Sequence, residues 1–518
     1  MFIDLENLPE QLNAASIFVD ENIRDKRGDN IAIYYGDEIL TYHDVLNMVN
    51  KTGNALKNLG VNVEERVMLI LSDSPEFVAS FFGAMKIGAV PIPINTMLNS
   101  KDFQYYLNDS GAKTLIVQST LLKEIENIKD DLKYLKNIIV VGSAETKYQS
   151  FDDFIKNETS DLEAAETSKD DAAFWLYSSG STGSPKGVVH LHHDMLYCSD
   201  LYAKNVLGID EKDITYSAAK LFFAYGLGNS LYFPFRVGAS AVLFPDKPDP
   251  DAVFHIIEKY KPSLFYGVPT LYAKMLQSME NMDKKQNMDS LRLCISAGEQ
   301  LPEEIYHRWK NHTSLEVLDG IGSTEALHIF ISNFKENVMP GSSGQIVPGY
   351  EAKIVDENGI DVETGEIGNL MIKGDSNAPY YWRNHEKTKE TMIGEWIHTG
   401  DKYYMDSDGY FWHCGRSDDM MKVSGMWVSP IEIENILMSH EAVLECAVVG
   451  DLGEAKLVKP KAFVVLKEGF SETEELKEKL KKYVIDNAAP YKHPRWIEFI
   501  DDLPRTATGK VQRFKLRC

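Results

Sequence analysis

The sequence predicts an α/β protein: a large N-terminal domain of layered sheets and helices, followed by a small α+β domain on a hinge. Three observations predict it. The chain has 518 residues, whereas single hydrophobic cores stop growing near about 250–300 residues. Helical and strand-length apolar patterns alternate through roughly the first 400 residues, as sheets with helices packed on them require. The last stretch of about 100 residues mixes helix and strand patterns in a length sufficient for a small domain of its own.

The elements follow in order. Thr41 to Leu59 carries apolar residues at helical spacing, and Gly60 stands where a helix should stop. Arg66 to Leu71, Thr114 to Gln118 and Asn137 to Val141 are apolar runs of strand length. The longest apolar stretch, Phe77 to Ile94, is broken by Lys86, Pro91 and Pro93, so it reads as a buried helix and a short strand, not a membrane span. Glu145 to Asp171 is polar and acid-rich, a loop or weak helix before the strand Ala172 to Tyr177. Gly365 to Gly374 and Gly409 to His413 read as glycine-rich turns with short strands.

After a boundary at Arg416 to Asp419 the character changes. Ser429-Pro430-Ile431-Glu432 is a helix start, with Ser429 as cap and Glu432 reaching back as a capping box. Val443 to Gly450 and Ala462 to Leu466 read as strands, and Ser471 to Asn487 as an amphipathic helix with Leu476, Leu480 and Val484 on one stripe. The expected domains are 1–417 and 418–518. No repeat of solenoid period is present.

Composition narrows the function. Apolar residues make up 44% and charged residues 25%, which excludes collagen-like, coiled-coil and disordered readings of the whole. The net charge of −24 argues against nucleic acid or an anionic membrane as the main partner, since binding phosphate needs clustered Lys and Arg. Five scattered cysteines contain no CxxC pair and suggest neither a structural zinc site nor a disulfide framework. The acidic start Met1-Phe2-Ile3-Asp4 lacks the form of a secretory signal. The simplest compartment is the reducing cytoplasm, for a monomer or homodimer.

One loop stands out: Tyr177-Ser-Ser-Gly-Ser-Thr-Gly-Ser-Pro-Lys-Gly-Val188. Seven of the eight residues Ser178 to Pro185 are Gly, Ser or Thr. Such a loop offers backbone N–H groups and hydroxyls with little bulk to block a phosphate, and Lys186 adds a cation. It is not a Walker loop, because GxxxxGK[ST] does not align and a strand, not a helix, follows. A flexible linker is the plain alternative, but this loop lies between two apolar strands and carries a lysine. Three histidines follow, His190, His192 and His193. With no cysteine or repeated carboxylate pattern beside them, packing or helix-start roles are favoured over a metal.

Ser178 to Gly187 resembles the signature loop of adenylate-forming enzymes: acyl-CoA synthetases, nonribosomal adenylation domains and luciferases. Further matches stand in the same order over most of the chain: Ser296-Ala-Gly-Glu299, Asp319-Gly-Ile-Gly-Ser-Thr-Glu325, Thr399-Gly-Asp401, Gly415-Arg-Ser-Asp-Asp419 and Pro504-Arg-Thr-Ala-Thr-Gly-Lys510. Within that superfamily, Ala219 to Asn229 and Ile321 to Phe330 are most similar to benzoate-CoA ligases and related aryl-CoA ligases.

The resemblance implies a two-step reaction. A carboxylic acid and ATP give acyl-AMP and pyrophosphate, and coenzyme A then displaces AMP to give a thioester. It implies an ATP site of Ser178, Ser179, Gly180, Ser181, Thr182, Gly183 and Lys186 at the phosphates. Gly298, Glu299, Asp319, Gly320, Gly322, Ser323 and Thr324 would lie at the adenine side, and Asp401 and Arg416 at the ribose. Thr182 would hold the departing phosphates, Glu325 would help hold Mg²⁺, and Lys510 would stabilise the charge growing on the α-phosphate and carboxylate. Asp418 would be the hinge, and its rotation would bring Lys422 and Gly425 to the coenzyme A tunnel. Plainer readings stand beside these: Asp401 in an Asx turn, Arg416 in a surface ion pair, Lys510 as an exposed turn lysine.

In the aryl-CoA ligases the residues matching Ala224 and Tyr225 border the ring. Ala224, Tyr225, Gly226, His328 and Ile329 would therefore form a flat, mostly apolar slot, which suits an aromatic acid such as benzoate. Ile329 reads equally as core, and His328 as a hydrogen-bonded buried histidine. Three other functions compete: ligation of a medium-chain, branched or cycloaliphatic acid; loading of a carrier protein; and a nucleotide-binding regulator without catalysis. Retention of Glu325, Asp401, Arg416 and Lys510 disfavours the last.

Overall fold

The computed structural model describes residues 7–143, 145–178, 185–280, 286–416, 419–423, 426–452, 458–489, 492–505 and 511–517, without the side chains of residues 422, 426, 427 and 452. A central sheet has nine strands among the described residues. In spatial order they are Gln345–Ile346, Ile329–Ser332, Val317–Gly322, Leu293–Ser296, Leu264–Gly267, Ile214–Ser217, Ser240–Leu243, Ile31–Tyr35 and Glu38–Thr41. The run from Val317–Gly322 to Ile31–Tyr35 is parallel, and the outer strands are antiparallel. Parallel strands of one sheet need long crossovers. The helices Pro250–Tyr260, Pro269–Glu280 and Glu303–Thr313 supply three of them. Covered on both faces, the inner strands Leu264–Gly267 and Leu293–Ser296 are buried throughout.

A second sheet is parallel from edge to edge: Val90–Pro93, Arg66–Ile70, Thr114–Gln118, Asn137–Val141 and Gln149–Ser150. The helix Pro75–Lys86 packs on it, and Tyr42–Asn58 packs against that helix. Thr41 caps Tyr42–Asn58 through a full capping box with Asp44. The apolar stretch from Phe77 divides into helix Pro75–Lys86 and strand Val90–Pro93. Lys86 is tolerated inside it because its fully buried ammonium donates to Asp20 (2.6 Å) and Asn50 (2.7 Å). Aromatic side chains knit the layers: Phe81 meets Phe82 edge-on at 5.4 Å and Phe174 at 5.5 Å.

A third, antiparallel sheet is formed by Glu351–Val355, Gly368–Lys373, Trp396–Met405, Met392–Ile393 and Phe411–Arg416. The polar region before Ala172 contains one short helix, Phe151–Ile155. The C-terminal stretch has its own core of Ile433, Leu437, Val448, Val464, Leu480 and Val484. Its strands Val443–Leu452 and Val458–Leu466 pair antiparallel, and Trp496–Phe499 joins in parallel.

Two local expectations need correction here. The helix Pro430–Met438 is capped by Ser429, which accepts from Glu432 N, but the Glu432 carboxylate does not reach back. It binds Lys492 Nζ at 2.6 and 2.7 Å, a stronger charged partner than a neutral N–H. The amphipathic helix starts at Glu474, not Ser471, because Thr473 takes the cap and accepts from Leu476 N. Cys198, Cys294, Cys414 and Cys446 are all free and buried. No helix among the described residues is long and apolar enough to cross a membrane.

Candidate active site

The glycine-serine loop is anchored at both feet. Its flanking strands, Ala172–Ser178 and Lys186–Leu191, form an antiparallel ribbon that sets Ser178 opposite Lys186. Tyr177 donates to Asp109 at 2.6 Å, and Tyr105 donates to the Pro185 carbonyl at 2.7 Å. Trp382 closes the clamp: its backbone N–H donates to Gly187 O (2.8 Å) and its indole N–H to Asp109 O (3.0 Å). The Arg66 guanidinium lies over both Trp175 and Trp382. Ser179, Gly180, Ser181, Thr182 and Gly183 lie outside the described residues, as do Lys510, Asp418, Gly425 and the side chain of Lys422.

Glu325 comes to this ribbon from the turn after Val317–Gly322. Its Oε1 accepts from Tyr381 Oη at 2.8 Å and from Ser178 Oγ at 3.2 Å. Its carbonyl accepts from Ala378 N at 2.7 Å. The Lys186 ammonium sits 4.6 Å from the centroid of the Tyr381 ring. Burial pulls the Lys186 pKa down, and the Glu325 charge opposes that pull. Among the described residues no cluster of three metal-binding side chains exists. A carboxylate oriented by two hydroxyls is nevertheless an oxygen donor that would fit Mg²⁺.

The turn itself is tightly made. Ser323 Oγ accepts from Ala326 N, and His190 Nε2 lies 2.8 Å from Thr324 O. The other ring nitrogen of His190 faces Asp194 at 2.7 Å, so this histidine ties the ribbon to the turn. His192 Nδ1 accepts from Ala14 N, and His193 bridges the Lys169 and Asp375 carbonyls. A side chain at Gly322 would meet His328 O at 2.5 Å, so only glycine lets the two strands approach here. Leu327 takes φ 68°, an uncommon conformation for a bulky residue, and it turns the chain into His328.

Asp319 and Gly320 occupy the same strand. Asp319 is buried, its Oδ2 accepts from Leu301 N at 3.1 Å, and burial pushes its carboxyl up to about 8. Gly298 turns with φ 96° and presents Glu299, whose Oε1 accepts from Val511 N at 2.7 Å. Asp401 lies opposite Arg416 across paired strands and accepts from its Nη1 at 3.2 Å. Arg416 also donates to Thr399 O at 3.0 Å, two residues before Asp401 on the same strand.

Of the residues expected to line the acid, Tyr225 packs against His328. Ala224, Tyr225 and Gly226 open the helix Ala224–Leu227. Tyr225 Oη donates to the Gly267 and Ile295 carbonyls at 3.3 and 3.4 Å. His328 Nε2 faces Tyr225 O (3.3 Å) and Asn229 Oδ1 (3.2 Å), both acceptors, so the proton is assigned to Nε2. Nδ1 is then a bare acceptor, buried and with no partner among the described residues. Burial pulls the pKa to about 3, so the ring is neutral. Phe233, Tyr202, Tyr225 and Tyr232 surround it, the nearest centroid at 4.4 Å. Gly228 makes room, since a Cβ there would fall 2.5 Å from the imidazole. Ile329 is fully buried in the main core. Sequence reasoning missed Tyr381, Asn229 and Gly228. The aromatic run Tyr380-Tyr381-Trp382 was the available signal for the first.

Known proteins supply the class. Residues 19–382 match the AMP-binding enzyme family, and residues 432–510 match the AMP-binding enzyme C-terminal domain. The chain belongs to this family of adenylate-forming enzymes. It is 48% identical over 513 residues to the benzoate–CoA ligase of Thauera aromatica, covering 98% of this chain and 96% of that one. A crystal structure of an anthranilate CoA ligase with anthranoyl-AMP superposes with a TM-score of 0.95 at 45% identity, over 99% and 98% of the two chains. A benzoate CoA ligase from Burkholderia xenovorans gives 0.91 at 45% identity, over 98% and 99%. Within the family, then, the protein is an acyl-CoA synthetase that resembles the benzoate–CoA ligases.

Asp319 allows a test of the site's electrostatics. Below pH 3.8 its carboxyl is protonated whether the chain is folded or not. Between that pH and about 8 only the folded protein keeps the proton, so stability is full at the acid end and is lost as pH rises through this window. Asp319→Asn, which keeps an acceptor for Leu301 N, should lose several degrees less in melting temperature than the parent between about pH 5.5 and about pH 8.5, read by differential scanning fluorimetry. Parallel curves would contradict the assignment.

Proposed function

We propose that the protein is an ATP-dependent aryl-acid–CoA ligase acting on benzoate or a substituted benzoate. In the first half-reaction a carboxylate oxygen attacks the α-phosphorus of ATP, forming acyl-AMP and releasing pyrophosphate. In the second, the thiol of coenzyme A loses its proton and attacks the acyl carbon, and AMP leaves. Two anions must first be brought together, so donors and cations have to be in place beforehand.

Thr182, with Ser178 to Gly183 and Lys186, binds the β- and γ-phosphates. Glu325, held by the Ser178 and Tyr381 hydroxyls, would ligate Mg²⁺, which neutralises phosphate charge when bound. Gly298, the Glu299 backbone and Asp319 to Thr324 flank the adenine, while Asp401 accepts from the ribose hydroxyls with Arg416 beside it. Lys510 meets the charge that grows between carboxylate and α-phosphate. The C-terminal domain, residues 418–518, turns about Asp418 to exchange Lys510 for Lys422 and Gly425 at the coenzyme A tunnel. Four free, buried thiols fit a reducing cytoplasm.

The observation that carries the aryl reading is His328: neutral, walled by aromatic rings, with one bare acceptor at Nδ1. Such a wall favours a flat ring by area burial and edge contacts. The acceptor favours a ring substituent that donates, hydroxyl or amino, wherever one reaches it. The names of the relatives, benzoate and anthranilate ligases, point the same way.

Two experiments test this reading. In acid-dependent ATP–pyrophosphate exchange, benzoate should exceed hexanoate and cyclohexanecarboxylate in kcat/KM; a tenfold preference for the aliphatic acids would overturn the aryl assignment. Lys510→Ala should lose about 100-fold or more in adenylate formation, the scale of removing one preorganised charge partner, while thioester formation from synthetic acyl-AMP largely survives. Equal loss in both halves would contradict the role given to Lys510.

A further inference from the structure

Glu299 joins the large N-terminal part of the chain to the C-terminal part. Its Oε1 accepts from the backbone N–H of Val511 at 2.7 Å, across 212 positions of sequence. Its Oε2 lies 3.9 Å from Arg505 Nη1, and Arg505 also binds Glu445 within the C-terminal part. Arg505 and Val511 flank the segment containing Lys510 and pair with each other in an antiparallel bridge. Gln512 N donates to Pro504 O at 2.7 Å, reinforcing that pairing. Beyond it, Arg513 grips the buried Glu434 at 2.8 and 3.0 Å, which fixes these flanks to the C-terminal core. The carboxylate therefore touches both ends of the lysine segment, and Val511 is the next residue after Lys510.

A carboxylate that accepts a backbone N–H makes a charge-assisted bond of fixed direction. Any rotation that withdraws Lys510 must break it, and a bond made in one orientation alone shifts the population toward that orientation. The turn at Gly298, with φ 96°, is followed at once by Glu299, whose carboxylate goes to Val511. We infer that Glu299 is a positioning residue that latches the C-terminal domain in the orientation for adenylate formation, acting through the Val511 backbone rather than on the nucleotide. The inference rests on the reading of Lys510 given above.

The test uses the full-length enzyme with Glu299→Ala, Glu299→Gln and Lys510→Ala. Three quantities are read: single-turnover adenylate formation, affinity for a non-hydrolysable ATP analogue, and thioester formation from synthetic acyl-AMP. Glu299→Ala should slow adenylate formation about tenfold, leave analogue affinity within about twofold, and affect the thioester step less. Glu299→Gln keeps an acceptor at the same reach and should recover most of the rate. Weaker analogue binding that accounts for the whole loss would make Glu299 a nucleotide ligand and overturn the latch. So would an unchanged rate in Glu299→Ala, or equal loss in both half-reactions for both variants. If Lys510→Ala itself keeps full adenylate formation, the underlying reading fails; if only the Glu299 expectations fail, the latch alone falls.

Discussion

The site depends on the anchoring of one carboxylate. Glu325 stands on the turn after a central-sheet strand, yet its oxygen is held by a hydroxyl from the ribbon (Ser178) and another from the connection between Gly368–Lys373 and Met392–Ile393 of the third sheet (Tyr381). Ala378 fixes its backbone from the same side. Three parts of the chain distant in sequence meet there. Neutral hydroxyls orient the carboxylate without cancelling its charge, which a lysine or arginine partner would do. Lys186 stays close, over the Tyr381 ring.

The surroundings of His328 are set by the same turn. Leu327, held in the left-handed region, and Gly322, which permits close strand approach, together deliver His328 to Tyr225 and Asn229. The Glu325 carboxylate and the His328 ring therefore share one stretch of ten residues, Gly320 to Ile329. Such sharing fixes the separation of the two side chains. Burial pushes the carboxyl of Asp319, on the strand that leads into this turn, up to about 8.

Much of this was legible beforehand because it is local. Strand-length apolar runs at Arg66, Thr114 and Asn137 became neighbours in one parallel sheet, and the Gly/Ser loop was readable from composition alone. The resemblance of ordered motifs put Glu325, Asp401 and Arg416 in one site, and Asp401 does pair with Arg416. What escaped was non-local. Tyr381 lies 56 residues from Glu325, and no spacing rule links them. Glu432 fitted a capping box on local grounds, but Lys492 competed from 60 residues away and offered a charge. The engagement of Glu299 by Val511 belongs to the packing of two separate cores, which periodicity does not report.

Magnesium-dependent ATP binding by Tyr381→Phe tests the central arrangement most directly. Losing a hydrogen bond to a charged group costs about 1.5–3 kcal/mol, or roughly tenfold or more in affinity. If Tyr381 orients Glu325 for the metal–nucleotide pair, equilibrium dialysis should show ATP binding about tenfold weaker with Mg²⁺ and nearly unchanged in its absence. Equal affinities for the variant and the parent under both conditions would contradict the account.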